Sequence, residues 1–201
     1  MIADDQIMPK RVILITGTPS VGKTTAAKLL VTQLNGFYVN LTELAIKENL
    51  IVGKDEDRDS IIIDETMMKP KIREIVEGQN KDVIIDGHYA PNVVPEELIT
   101  YVFVLRRDPV ELRKLMEKSG MSGRKLWENL ASEILDVCLV DALDAVDVSK
   151  VCELDISGKR VAETVFEISA VLNGEKKCQV GIVDWLGKLE SEGLLDECLK
   201  I

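Results

Sequence analysis

The chain has 201 residues, 46% of them hydrophobic and 30% charged, with a net charge of −10. That length suits one domain with its own core, and the composition excludes a disordered chain. The acidic balance argues against a broad nucleic-acid face, and apolar runs such as residues 102–105 are too short to cross a bilayer.

Residues 1–10 carry two aspartates and no apolar stretch of the secretory type, so a cytoplasmic address is expected. Residues 11–16 (RVILIT) form a β-branched run that predicts a buried strand. A turn over residues 17–22 and a helix over 23–34 follow, the latter with apolar Ala26, Ala27, Leu29, Leu30 and Leu34. Residues 37–39 predict a short strand and 41–47 a helix capped by Asn40. Residues 53–60 are expected to form a charged loop. Residues 64–77 are periodic, but Pro70 predicts a kink or a late start near Lys69.

Residues 82–86 (DVIID) and 101–105 (YVFVL) predict two more buried strands. Asp108-Pro109 opens a helix to residue 118, and the sequence SGMSG breaks it at 119–123. A long helix over 124–145, a strand over 151–155, a helix over 159–172 and partly helical structure over 180–195 complete the pattern. Apolar strands alternating with helices predict a parallel α/β sheet covered on both faces, with ligands at the carboxyl edge.

The sharpest signal is Gly17-Thr18-Pro19-Ser20-Val21-Gly22-Lys23-Thr24, a full P-loop pattern with a strand before it and a helix after it. Gly17 and Gly22 permit backbone angles that side chains resist. The amides from Ser20 to Thr25 then form a nest for phosphate oxygens, reinforced by the helix dipole. Lys23 reaches the β- and γ-phosphates, the Thr24 hydroxyl ligates magnesium, and Thr25 contacts the α-phosphate. Together these predict binding of ATP with Mg2+.

Asp86 ends the second clear buried strand, where such proteins hold magnesium through water; capping a turn is the plainer alternative. His88, two residues on, could orient an attacking water or a phosphate, or serve only as a hydrogen-bonding loop residue. Residues 106–125 hold seven basic and three acidic side chains, net +4 within a chain whose remainder carries −14. Such a patch suits a small polyanion, or is a helix face of paired charges. Cys138, Cys152, Cys178 and Cys198 contain no C-x-x-C pair, and His88 is the only histidine, so reduced cysteines rather than zinc ligands are expected.

Three stretches, GTPSVGKTT at 17–25, VIIDGH at 83–88 and KLWENLASEI at 125–134, with FYVNL at 37–41 and VGIVDWL at 180–186, resemble the adenylate kinase isoenzyme 6 family in its archaeal branch. The resemblance spans residues 11–186. It implies a single P-loop domain over 1–201 with a nucleoside monophosphate kinase fold, an acceptor-binding segment at about 40–64 and a small lid at about 118–128. It also implies phosphoryl transfer from ATP to AMP or related monophosphates, and ATPase activity. A further implication is a role in late maturation of the small (30S) ribosomal subunit and its 16S rRNA, through a basic platform ribosomal protein on the pre-30S particle. Asp86 and His88 match the family's aspartate and histidine.

The chain departs from the family in the lid. The usual R-G-Y is Ser119-Gly120-Met121 here, so the arginine expected there is missing; Arg124, Arg113 or Arg106 are candidate substitutes. Residues 41–49 also lack an arginine, which leaves Lys47 or Arg58 for the acceptor phosphate. The alternative is therefore an ATP-driven assembly switch with little monophosphate kinase activity.

Overall fold

A computed structural model describes residues 9–55 and 60–200. Five parallel strands form the central sheet: β1 (Val12–Thr16), β2 (Phe37–Asn40), β5 (Val83–Asp86), β6 (Tyr101–Arg106) and β7 (Val151–Asp155), in the order β2-β5-β1-β6-β7. The β-branched runs of β1, β5 and β6 are buried throughout or nearly so, as expected for strands covered on both sides. Alternation along β1 divides the core. Ile13 and Ile15 face helices α1 (Lys23–Leu34), α5 (Pro109–Lys118), α6 (Gly123–Ile134) and α8 (Val161–Leu172). Val12 and Leu14 face α2 (Leu41–Lys47), α3 (Glu65–Glu77), α4 (Ala90–Val93) and α7 (Val137–Ala145). The remaining strands, β3 (Ile51–Asp55) and β4 (Ser60–Ile63), pair antiparallel as a separate hairpin, and the chain ends in α9 (Trp185–Ser191) and α10 (Leu195–Cys198).

The α/β expectation is met, and several local expectations are corrected. The charged loop expected from residue 53 is instead partly hairpin: β3 runs through Lys54 and Asp55. The β-branched residues Ile51, Val52 and Ile61 to Ile63 on either side of the charges favour a strand pair. The acidic residues Glu56, Asp57 and Asp59, with Arg58, lie outside the described residues.

Helix α3 begins at Glu65, well before Pro70. Asp64 caps it by accepting from Met67 N, and Met68, Ile72 and Val76 bury one face. These anchors outweigh one missing hydrogen bond at Pro70, which lies on the exposed side. The long helix expected over 124–145 is broken into α6 and α7 by Asp136, which takes a left-handed conformation (φ 59°) that aspartate tolerates better than most residues. Only Trp185–Ser191 of the stretch 180–195 is a regular helix until α10 begins at Leu195. Two of the four cysteines, Cys152 and Cys178, are joined as a disulfide rather than reduced; Cys138 and Cys198 are free and buried.

Because Pro70 is held inside a helix, Pro70→Ala should raise the unfolding free energy by roughly 1–3 kcal/mol in urea titration. A neutral or destabilising result would mean that α3 already accommodates the ring without loss.

Candidate functional site

Parallel pairing brings the chemistry-bearing residues to one edge. Asp86 is in register with Ile15 of β1 and with Asn40 of β2, so the carboxyl ends of three strands finish together. The loop after β1 curls directly above them. Gly17 has φ 135°, and a Cβ there would stand 2.4 Å from the Leu105 carbonyl oxygen, so only glycine fits. Gly22 (φ 119°) opens α1 in the same way. Ser20 is also left-handed, at φ 66°. Its backbone thus adopts a conformation glycine reaches more easily, while its hydroxyl lies 3.4 Å from that of Ser119 at the end of α5.

Lys23 folds back over the loop and donates to the carbonyls of Gly17 (2.7 Å) and Thr18 (2.9 Å). Burial lowers the pKa of its ammonium, while Cys138, Asp86 and Glu133 act in the opposite direction. Thr24 and Thr25 are exposed at the start of α1.

Asp86 is 1% exposed, and its Oδ2 accepts from three side chains: Thr24 Oγ1 (2.6 Å), Tyr38 Oη (2.9 Å) and Asn40 Nδ2 (3.0 Å). Asn40 is used twice, since its Oδ1 also accepts from Glu43 N and caps α2. Nothing in their own segment marks Tyr38 and Asn40 as site residues. Their signal was positional: both lie at the end of the strand beside β5. Desolvation, with Asp86 alongside, pushes the Tyr38 phenol up to about 12, so it remains a donor at neutral pH.

The pair of hard oxygen ligands, Thr24 Oγ1 and Asp86 Oδ2, fits magnesium, which typically takes one or two protein oxygens and fills its octahedron with phosphate and water. Among the described residues no cluster of three or more His, Cys, Asp or Glu could hold a metal.

His88 follows Gly87, where a Cβ would come within 2.7 Å of the Leu41 side chain. The His88 carbonyl accepts from Thr16 Oγ1 (2.9 Å), which pins this loop to the end of β1. His88 lines a cavity of about 1000 Å3, whose walls include Pro19 of the phosphate loop, Ile61 to Ile63 of the hairpin, and Lys125 and Asn129 of α6. Although His88 is solvent-exposed in part, desolvation on its loop side, then the Lys23 charge, lowers its pKa from the ordinary 6.5 to about 4. The imidazole is therefore neutral at pH 7.

The expected arginines do not converge on this edge. Arg106 is 1% exposed and turned inward, where Glu133, Glu153 and Asp136 surround its guanidinium. That caging corrects the expectation that it replaces the lid arginine. Arg124 is exposed on α6 and paired with Glu128. Arg113 pairs with Glu117 and stacks on Trp127. Arg107 comes nearest the phosphate loop: its Nε donates to the Val21 carbonyl (3.2 Å), and a Cβ added at Gly22 would lie 3.9 Å from its Nη2. One residue past a buried strand, it leaves the sheet just where Arg106 turns inward.

The AAA domain family model matches residues 13–136. A Methanocaldococcus jannaschii protein named "Putative adenylate kinase" is 39% identical over 88% of this chain and 93% of its own length. A Pyrococcus furiosus protein of the same name is 36% identical over 87% and 91%. The chain belongs to this adenylate kinase-like P-loop family. Among solved structures, shikimate kinase from Acinetobacter baumannii (TM-score 0.59, 13% identity, 83% of this chain and 95% of that one) shares the fold. So does thymidylate kinase from Candida albicans (TM-score 0.53, 14% identity, 85% and 97%). The family places the chain among phosphotransferases with a nucleotide-binding P-loop. Among the described residues no helix is long and apolar enough to cross a membrane.

The His88 shift sets a pH dependence. The unfolded chain, with histidine near 6.5, binds a proton more readily than the folded chain, with His88 near 4. Stability from this group is complete above pH 6.5 and falls as pH drops towards 4. His88→Asn should remove that part of the acid sensitivity, read as a flatter melting temperature between pH 6.5 and 4; an unchanged slope would show that His88 is not held neutral.

Proposed function

We propose that this protein is a broad-specificity nucleoside monophosphate kinase of the adenylate kinase type, ATP + AMP = 2 ADP, with ATPase activity. The observation that carries the reading is the convergence of Lys23, Thr24, Asp86 and His88 at one sheet edge beside an open cavity. Loop amides and Lys23 bind the β- and γ-phosphates, and the ammonium leaves the Gly17 and Thr18 carbonyls to do so. Thr24 and Asp86 would hold magnesium, which would supply neutralising charge on the phosphate oxygens. Neutral His88, facing the cavity, orients the attacking oxygen of the acceptor or of water. Arg107 or Arg124 supplies positive charge near the transferring group, Arg106 being enclosed elsewhere.

The second reading is an ATPase switch with little monophosphate transfer. It is favoured by the cavity wall: among the described residues that line it, Lys125 is present but no arginine, while Glu65 and Glu128 add negative charge. A dianionic acceptor phosphate ordinarily draws more positive charge than that. On this reading the acidic chain docks a basic small-subunit platform ribosomal protein and assists 30S and 16S rRNA maturation. Its check is a pull-down: neutralising Asp55 to Asp59 should weaken capture of that protein, and undiminished capture would remove the acidic run from the interface.

Product analysis with ATP and Mg2+, with and without AMP, separates the two readings. AMP-stimulated ADP formation is expected for the kinase; hydrolysis of ATP that AMP leaves unchanged would leave only the switch. Lys23→Ala should lower turnover by about 100-fold or more, and Asp86→Asn by a similar factor with ATP still bound. Wild-type turnover in Lys23→Ala would end the reading altogether.

A further inference from the structure

The stretch KLWENLASEI at 125–134 contains Glu133, a residue that the proposed chemistry leaves unused. Glu133 is 1% exposed on α6, yet its carboxylate is fully engaged. Its Oε2 accepts from the Thr18 hydroxyl at 2.5 Å. Its Oε1 accepts from Arg106 Nε (2.9 Å), Arg107 N (3.1 Å) and Trp185 Nε1 (3.1 Å). One carboxylate thus ties together the phosphate loop, the end of β6, α6 and the start of α9.

We propose that Glu133 is a positioning residue for the phosphate loop, and that through Trp185 it makes the C-terminal segment part of the nucleotide site. The inference rests on the P-loop binding ATP. Thr18 is the link. Its side chain is fixed by Glu133, and its carbonyl accepts from both Lys23 Nζ and Val21 N. Fixing the hydroxyl therefore fixes the peptide plane on which the Lys23 ammonium rests and from which the amide nest departs. A charge-assisted bond from a buried hydroxyl is stiff as well as strong, so the loop is preorganised before phosphate arrives.

The C-terminal segment is tied to the same hub independently of the indole. Ile182 N donates to Glu153 Oε2, and Glu153 N donates to the Gln179 carbonyl. Arg106 Nη1 joins Glu153 Oε1 at 2.6 Å, and the Cys152–Cys178 disulfide fastens the beginning of the segment to β7. The segment is thereby held on three sides where Trp185 reaches Glu133. A change in the Thr18–Glu133 bond when phosphate enters should be felt at the indole.

The chain has two tryptophans, so Trp127→Phe leaves Trp185 as the sole indole reporter. In that background, titrating ATP and Mg2+ should change Trp185 emission saturably. Thr18→Val keeps the shape and removes the hydroxyl; it should weaken ATP affinity about tenfold and abolish most of the emission change. Thr18→Ser keeps the hydroxyl and should retain both. If Thr18→Val does not fold, Glu133→Gln takes its place and should show the same weakened affinity. Equal affinity in the Val and Ser variants, or in Glu133→Gln and its parent, would overturn the proposal, as would Trp185 emission indifferent to bound ATP. Failure of the parent protein to bind ATP by calorimetry would instead strike the nucleotide-binding reading itself.

Discussion

The site is organised around a single oxygen, Oδ2 of Asp86, on which donors from α1 and from β2 meet. A buried carboxylate is costly unless its charge is answered by donors, and here three neutral donors do so without cancelling it. The proposed magnesium ion would need that retained charge. The arrangement depends on strand register: were β2 shifted by one residue against β5, Asn40 would leave Asp86 and its side chain would point to the other face. The same side chain also caps α2, so that helix and the carboxylate are positioned by one residue.

A second buried charge system lies behind the first and has a different purpose. Arg106 faces Glu133, Glu153 and Asp136, more negative charge than one guanidinium cancels. Burying such a group rarely adds net stability, because desolvation offsets the attraction. What it adds is geometry. A guanidinium presents donors in a fixed fork, so each carboxylate has one place to sit. The left-handed Asp136 that divides α6 from α7 contributes one of those carboxylates, which explains why the helix breaks there rather than running on.

The sequence was informative wherever a local pattern determines structure. Buried strands announced themselves as β-branched runs, and the phosphate loop as glycines that the backbone requires. Asp108 and Asn40 were legible as caps for the same local reason. What could not be read were partnerships between distant residues. Arg106 meets carboxylates 27 and 47 positions away, and nothing within its own segment distinguishes an inward arginine from one facing a ligand. Tyr38 lies 48 residues from Asp86, and the hairpin was hidden because its charges masked the β-branched residues on either side.

The distribution of positive charge bears on how the two halves of the site differ. At the phosphate loop the groups offered to a nucleotide are chiefly backbone: loop amides, a helix start and one lysine, with Arg107 braced against the Val21 carbonyl. Such a nest does not depend on a lid arginine. The cavity wall is different: among the described residues it is lined by isoleucines of the hairpin and by residues of α6. On the proposed reading, an acceptor would be recognised there by shape and a few polar side chains, with little charge to hold its phosphate.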